Sequence, residues 1–229
     1  SSDVCSSDLT GDKIVILGGE NYRIGMGGAA VSSADTGAFS SGIELNAIQR
    51  SNPEMQKRAA NAIRGLVESD VNPIVSIHDH GAGGHLNCLS ELVEETGGLI
   101  DLDKLPVGDP TLSAKEIIGN ESQERMGLVI GEKDIETLQR IADRERSPMY
   151  QVGDVTNDHR FTFETRNEKY FTDEYRNRVL DFQNLNNTEE KSKSTGVKPM
   201  DYALEDFFGS SPKTIMTDKT VATNYSDLA

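Results

Sequence analysis

Three short apolar runs stand out along the first 130 residues, at positions 14–17, 73–77 and 126–130. Each has the length of a strand, and each is followed by glycine or by a polar turn. A continuous apolar run bounded in this way is typical of a strand that is buried on both faces of a sheet. The pattern therefore predicts three core strands.

Segments of helical periodicity lie between and after these runs. Asn52 and Pro53 have the residue types of a helix cap and first turn, and the apolar period that follows predicts a helix ending near Asp70. Further helices are predicted at 86–95, at 114–118 with Ser113 as the cap, and at 133–146.

Weaker patterns add strands to this series. Residues 99–102 form a candidate short strand, and residues 150–152 and 160–163 have the pattern of two edge strands in a hairpin-like arrangement. Strand–helix units followed by such an end predict an α/β (α+β) fold in which helices flank a mixed sheet.

The composition divides the chain into three parts. Residues 1–9 have no apolar period, and residues 3–9 back-translate into a widely used DNA sequencing adapter, so we interpret 1–9 as a non-native artefact, with a disordered tail as the alternative. Residues 10–181 are predicted to form the compact domain. Residues 182–229 begin with a polar stretch and are predicted to be a linker and the start of the next region.

Charge and cysteine content narrow the class of protein. The 229 residues include 38 acidic and 23 basic side chains, a formal net charge of −15 that argues against general nucleic-acid binding because it repels phosphate backbones. No apolar run approaches the roughly 20 residues of a membrane span. Cys5 and Cys88 cannot form a disulfide framework, so we predict a cytoplasmic protein.

The turn after the second apolar run carries the strongest chemical signal. In HDHGAGG, at 78–84, glycines allow close backbone approach to a ligand, and Asp79 is a carboxylate suited to Mg²⁺ at the carboxyl end of a strand. The alternative is a tight turn in which Asp79 only caps the next helix. A zinc site is disfavoured because His78 and His80 project to opposite sides of an extended segment.

Other polar or glycine-rich segments carry weaker signals. Residues 120–125, NESQER, precede a buried strand and can hydrogen-bond a polar substrate, or Glu124 and Arg125 pair on the surface. The segment at 25–30 only loosely resembles a phosphate-binding loop, and a surface loop is the favoured interpretation. Cys88 lies on the apolar side of its helix and is predicted to be a buried, inert thiol.

Five motifs occur in a fixed order: GDKIVILGG at 11–19, IGMGGAAVSS at 24–33, IQRSNPEMQKR at 48–58, IHDHGAGG at 77–84 and NESQERM at 120–126. Together they resemble the large-type phosphoribosylformylglycinamidine (FGAM) synthases of purine biosynthesis, in the carboxyl-terminal half of their first synthetase module. That half is a domain type shared with aminoimidazole ribonucleotide (AIR) synthetase and selenophosphate synthetase.

The resemblance implies a reaction and a set of site residues. In this family ATP and Mg²⁺ activate the formyl amide oxygen of formylglycinamide ribonucleotide (FGAR), and ammonia delivered from glutamine replaces it. The resemblance implies that Asp79 is the Mg²⁺ ligand and that the substrate-binding residues are Gln49, Glu121, Ser122 and Gln123. It assigns no catalytic residue to this chain, which departs from the family pattern at His80 and His85.

The resemblance also implies partners. The family's ATP-binding half, second module and glutaminase have motifs that this sequence lacks, so we expect ATP to be bound mainly outside this chain, and we expect the isolated chain to be inactive and to self-associate. Two alternatives are a stand-alone nucleotide-binding or interaction module without catalysis, and another member of the AIR synthetase and selenophosphate synthetase superfamily.

Overall fold

The computed structural model describes residues 10–23, 37, 52–122, 124–171, 196–209 and 215. In chain order the strands are β1 Lys13–Leu17, β2 Ile74–Asp79, β3 Gly98–Asp101, β4 Met126–Ile130, β5 Met149–Val155, β6 Arg160–Thr165 and β7 Val197–Ala203. The helices are α1 Pro53–Val67, α2 Gly84–Leu92, α3 Ala114–Ile118, α4 Ile135–Glu145 and α5 Leu204–Phe208.

The seven strands form one mixed sheet in the order β2-β4-β1-β5-β3-β6-β7. Strands β3 and β6 are parallel, and the other neighbouring pairs are antiparallel. The predicted mixed sheet flanked by helices is therefore confirmed.

The prediction of edge strands near residues 150 and 160 is wrong. Strands β5 and β6 lie inside the sheet and do not pair with each other, because β3 lies between them and pairs with both. A local pattern cannot show this insertion, since β3 comes from about 50 residues earlier in the chain.

The helices cover both faces of the sheet, as the apolar run of β1 requires. Ile14 and Ile16 belong to the core cluster that includes residues of α2 and α3, whereas Val15 and Leu17 belong to the cluster that includes residues of α1 and α4. Along a strand, successive side chains point to opposite faces, so β1 contributes to two cores at once.

Helix caps determine where α1 and α3 begin. The Asn52 side chain accepts a hydrogen bond from the Met55 backbone N–H at 3.1 Å, as the sequence predicts. Ser113 and Glu116 form a reciprocal capping box on α3. No helix within the described ranges is both long and apolar enough to span a bilayer.

Strand β7 and α5 pack onto the domain although they lie beyond residue 181. Val197 and Leu204 are buried, and β7 pairs with β6 along its length. This differs from the expectation of a linker. Only Val197 of β7 is buried, and the strand includes Pro199, so its local sequence gives a weak strand signal. The boundary at residue 181 stays a prediction.

Candidate functional site

The ends of three strands meet at one edge of the sheet. Leu17, the last residue of β1, and Asp79, the last residue of β2, both lie opposite Met126, the first residue of β4. Because β4 runs antiparallel to both neighbours, the segments after β1 and β2 lie beside residues 120–125. Two motifs that are 40 residues apart in the sequence are thus brought together.

The glycine turn after β2 packs backbone against backbone on this segment. Gly83 and Gly84 have φ angles of 84° and 60°, in the left-handed region, and α2 begins at Gly84. A Cβ atom on Gly84 would lie 2.5 Å from the Asn120 carbonyl carbon and oxygen. Only glycine therefore fits both the φ angle and the close approach.

Backbone hydrogen bonds fix the segment that carries Glu121 and Ser122. The Ser122 N–H donates to the His80 carbonyl at 3.0 Å, and the His80 N–H donates to the Arg125 carbonyl at 3.2 Å. The Arg125 N–H in turn donates to the Ser122 carbonyl at 3.0 Å. The loop before β4 and the turn after β2 therefore form one unit.

Arg125 is a fully buried cation in this unit. Its Nη2 donates to the Asn120 carbonyl oxygen at 2.7 Å and to Asn120 Oδ1 at 2.9 Å. Burial lowers the pKa of Arg125 to about 10, an effect that nearby Glu124 opposes, so the guanidinium stays charged at neutral pH. The alternative of a surface pair between Glu124 and Arg125 is wrong, because both residues are buried.

His80 and His85 form a buried hydrogen-bonded pair above Arg125. His80 Nε2 lies 2.9 Å from His85 Nδ1, and His85 Nε2 lies 3.0 Å from Asn21 Nδ2 and 3.3 Å from Arg125 Nη1. Burial, and then the Arg125 charge, hold the pKa of both imidazoles well below the ordinary value. Both rings are therefore neutral.

Sequence reasoning missed this pair. The sequence pattern compares His78 with His80, which project to opposite sides of the strand. The observed pair is instead formed by His80 and His85, across the glycine turn. Two histidines that flank a turn of this kind were the available signal. The described ranges contain no group of three His, Cys, Asp or Glu side chains placed to share a metal ion.

Among the described residues, four buried polar atoms of this unit have no hydrogen-bond partner: Glu121 Oε2, Ser122 Oγ, His80 Nδ1 and Arg125 Nε. A buried polar atom without a partner costs about 1–3 kcal/mol, so such atoms are normally paired with water or a ligand. Burial also raises the pKa of the Glu121 carboxyl above its ordinary value. The concentration of these atoms at one sheet edge is the feature expected of a polar binding site.

Asp79 lies at the same edge but on the surface. Its carboxylate makes no hydrogen bond or ion pair within the part of the chain that the structure describes. The alternative role as a helix cap is wrong, because the N-cap of α2 is Gly83, which has no side chain. Gln49 and Gln123, the other two predicted site residues, lie outside the described residues, as does the glycine segment 25–30.

Two other features are separate from this site. Cys88 is buried, and burial raises the pKa of its thiol, so it is an inert core residue rather than a nucleophile. A groove of about 550 Å³ is lined by Pro73 and Gly131, which lie at the opposite ends of β2 and β4 from Asp79 and Arg125.

Comparison with known proteins agrees with this architecture. The family model described as AIR synthase related protein, C-terminal domain, matches residues 10–166. The chain belongs to this family. The matched region contains β1 to β6 and every described residue of the site, so the polar cluster lies within the AIR synthase related C-terminal domain.

Curated proteins that are similar to this chain include FGAM synthases. The phosphoribosylformylglycinamidine synthase of Dictyostelium discoideum is 45% identical over 149 residues, which are 63% of this chain and 11% of that protein. The Homo sapiens protein of the same name is 42% identical over 152 residues, 66% of this chain and 11% of that protein. The chain therefore spans about a tenth of the length of these relatives.

Solved structures share the fold. The Thermotoga maritima PurL complexed with FGAR aligns with a TM-score of 0.70 at 24% identity, covering 96% of this chain and 31% of that chain. The structure of PurLQS from the same organism aligns with a TM-score of 0.57 at 27% identity, covering 73% of this chain and 25% of that chain.

Proposed function

We propose that this AIR synthase related domain supplies substrate and Mg²⁺ contacts to an FGAM synthase, the ATP- and glutamine-dependent ligase that converts FGAR to FGAM. The observation that carries the proposal is the buried pair Glu121 Oε2 and Ser122 Oγ at the sheet edge, which have no partner in the part of the chain that the structure describes. The 42–45% identity to FGAM synthases supports the substrate class.

The chemistry of these side chains suits an amide substrate. FGAR has amide N–H groups, hydroxyls and a phosphate, so an acceptor such as Glu121 Oε2 and a hydroxyl such as Ser122 Oγ can bind and orient its polar groups. Gln49 and Gln123 are proposed to add uncharged contacts that do not compete for the metal. Orientation of the formyl amide is the role of this chain, and positioning contributes strongly to phosphoryl transfer.

Asp79 fits a Mg²⁺ site that is shared with substrate. Mg²⁺ is commonly held by one or two carboxylates together with phosphates and water, rather than by a cage of protein ligands alone. A single exposed carboxylate that has no competing partner in the described ranges matches that requirement. The metal, when bound, would neutralise the charge that develops on the transferred phosphoryl group.

The complete reaction needs parts that are proposed to lie outside this chain. These are the ATP-binding half, the second synthetase module and the glutaminase that releases ammonia. We propose that the whole enzyme is cytoplasmic. We expect the 229-residue chain, given ATP, Mg²⁺, FGAR and ammonia, to form no FGAM; product in a chromatographic assay would contradict this division of labour.

The direct test is titration of the chain with FGAR, followed by amide chemical shifts in NMR. We expect Ser122→Ala and Glu121→Gln each to weaken FGAR binding about tenfold, because each removes one polar contact worth about 1.4 kcal/mol. Ser147→Ala is the matched control, since in the described structure the Ser147 hydroxyl is likewise buried and unpartnered but belongs to the segment before β5, not to the turn after β2 or the loop before β4.

The same titration separates the alternatives. Equal loss of FGAR binding in Ser122→Ala and Ser147→Ala, or no binding at all, would overturn the proposal. Binding of a nucleotide in preference to FGAR would instead favour the stand-alone nucleotide-binding module. Binding of a ligand of another superfamily member, such as the reaction product selenophosphate, in preference to FGAR would favour a different member of the superfamily.

A further inference from the structure

We infer that His80 is a substrate-positioning residue whose Nδ1–H donates a hydrogen bond to an oxygen of the bound ligand, and that Arg125 fixes this tautomer through His85. The inference rests on the proposed function for the identity of the ligand. The tautomer itself rests on the contact between Arg125 and His85 in the described site.

The contact with Arg125 determines whether His85 Nε2 carries a proton. Arg125 Nη1 lies 3.3 Å from this nitrogen with hydrogen-bonding geometry. A guanidinium group only donates hydrogen bonds, so His85 Nε2 is the acceptor and carries no proton. The Asn21 amide fits either protonation state of this nitrogen, because its Nδ2 lies at 3.0 Å and its Oδ1 at 3.1 Å. The Arg125 contact is therefore the one that decides the tautomer.

The proton position on His85 determines the proton position on His80. A neutral imidazole without a proton at Nε2 has its proton at Nδ1, so His85 Nδ1–H donates to His80 Nε2 across 2.9 Å. His80 Nε2 is then the acceptor, and its own proton lies at Nδ1. Arg125 thus determines the proton position on His80 through His85. A doubly protonated His85 would place its Nε2–H against the Arg125 N–H, and a doubly protonated His80 would place its Nε2–H against the His85 Nδ1–H.

The His80 Nδ1–H donor is available to an oxygen of a bound ligand. Within the described residues this atom is buried and makes no hydrogen bond of ordinary length, and the same is true of Ser122 Oγ. The Arg125 backbone opposes, without reversing, the burial that lowers the pKa of His80. The Ser122 backbone N–H donates to the His80 carbonyl at 3.0 Å, so the two residues belong to one unit. A buried N–H donor beside a fixed positive charge selects an oxygen acceptor, neutral or anionic, and disfavours a cation. A protonated ring nitrogen also cannot ligate a metal ion. His80 is therefore assigned to the substrate oxygen and not to Mg²⁺.

The tautomer is tested on the free chain by imidazole ¹⁵N NMR. The chain has four histidines, so the double variant His78→Gln and His159→Gln, made at two exposed or half-buried positions, leaves only the buried pair to be assigned. We expect both remaining rings to show a protonated Nδ1 and an unprotonated Nε2. A protonated Nε2 on either ring would overturn the relay.

The ligand contact is tested by adding FGAR to the same sample. We expect the His80 Nδ1 and its proton to shift on binding, while His159 in the unaltered chain stays unchanged. We also expect His80→Leu to weaken FGAR binding about tenfold and His80→Gln, which retains an N–H donor, to weaken it less.

Failure of this inference differs from failure of the proposed function. If FGAR shifts the Glu121 and Ser122 amides but leaves His80 Nδ1 unchanged, the His80 contact is overturned and the proposed function stands. If FGAR shifts none of these signals, the proposed function fails, and the FGAR contact of His80 is overturned with it; the tautomer is decided by the ligand-free spectrum.

Discussion

At the scale of single residues, the site requires glycine at position 84 because a side chain does not fit there. Gly84 begins α2 with a left-handed φ angle and lies against the Asn120 backbone. Asn120 is the residue that binds Arg125 through both its carbonyl and its side chain. A side chain at position 84 would therefore move the segment that holds Glu121 and Ser122.

We expect Gly84→Ala to lower the free energy of unfolding by about 2 kcal/mol or more, because a left-handed φ costs an L-residue roughly 1–2 kcal/mol and the Cβ clash adds to it. Gly131→Ala is the matched control, since Gly131 has a φ of −61° and a Cβ there would lie 3.5 Å or more from its neighbours. Urea denaturation measures both. Equal stabilities of the two variants would contradict the proposed close packing.

At the scale of elements, α3 shows how a short helix is made stable. The Ser113 N–H and hydroxyl both donate to Glu116, and the Arg23 guanidinium binds the same carboxylate. Hydrogen bonds from Ser113, followed by the charge of Arg23, hold the pKa of Glu116 below its ordinary value. The cap therefore links α3 to the segment after β1 and makes the helix sensitive to acid.

A carboxyl with a lowered folded-state pKa stabilises the fold above its ordinary pKa, and this contribution is lost as the pH falls through the folded value. We therefore expect Glu116→Gln to be less stable than the wild type at pH 7, with a difference that shrinks on acidification below about pH 4.5. Thermal unfolding across pH 3–7 measures this. Glu136→Gln, in the first turn of α4 where the cap makes no side-chain hydrogen bond, is the control. A constant difference across this range would contradict the linkage.

At the scale of the whole molecule, β7 and α5 complete the sheet. Without them β6 would become an edge strand, and Phe161, which packs on Phe207 with ring centroids 6.2 Å apart, would lose that cover. An unpaired β6 would expose backbone groups that promote association between chains. Strand β2 is the far edge of the sheet in the described residues, and Ile77 on it is exposed.

We expect a chain ending at residue 181 to be less stable than one ending at Gly209 by about 3–6 kcal/mol, since it loses the burial of Val197 and Leu204 along with the β7 pairing. The shorter chain should also self-associate. Chemical denaturation and light scattering compare the two. A monomeric 10–181 chain of unchanged stability would support the domain boundary at residue 181 and contradict a structural role for β7.

The sequence alone determined the features that depend on neighbouring residues. The apolar runs of β1, β2 and β4, the caps at Asn52 and Ser113 and the buried state of Cys88 all follow from local side-chain chemistry. The resemblance of the motifs also predicted that Asp79 and Glu121 serve one site, and this stays a prediction.

Tertiary structure decided the features that join distant segments. These are the strand order, with β3 between β5 and β6, the addition of β7, and the burial of Arg125 beneath His80 and His85. The physical reason is that pairing partners and burial depend on which segments share a sheet edge. Residues 80 and 125 are far apart in the chain. They come into contact because β2 pairs with β4, which places the end of β2 beside the start of β4.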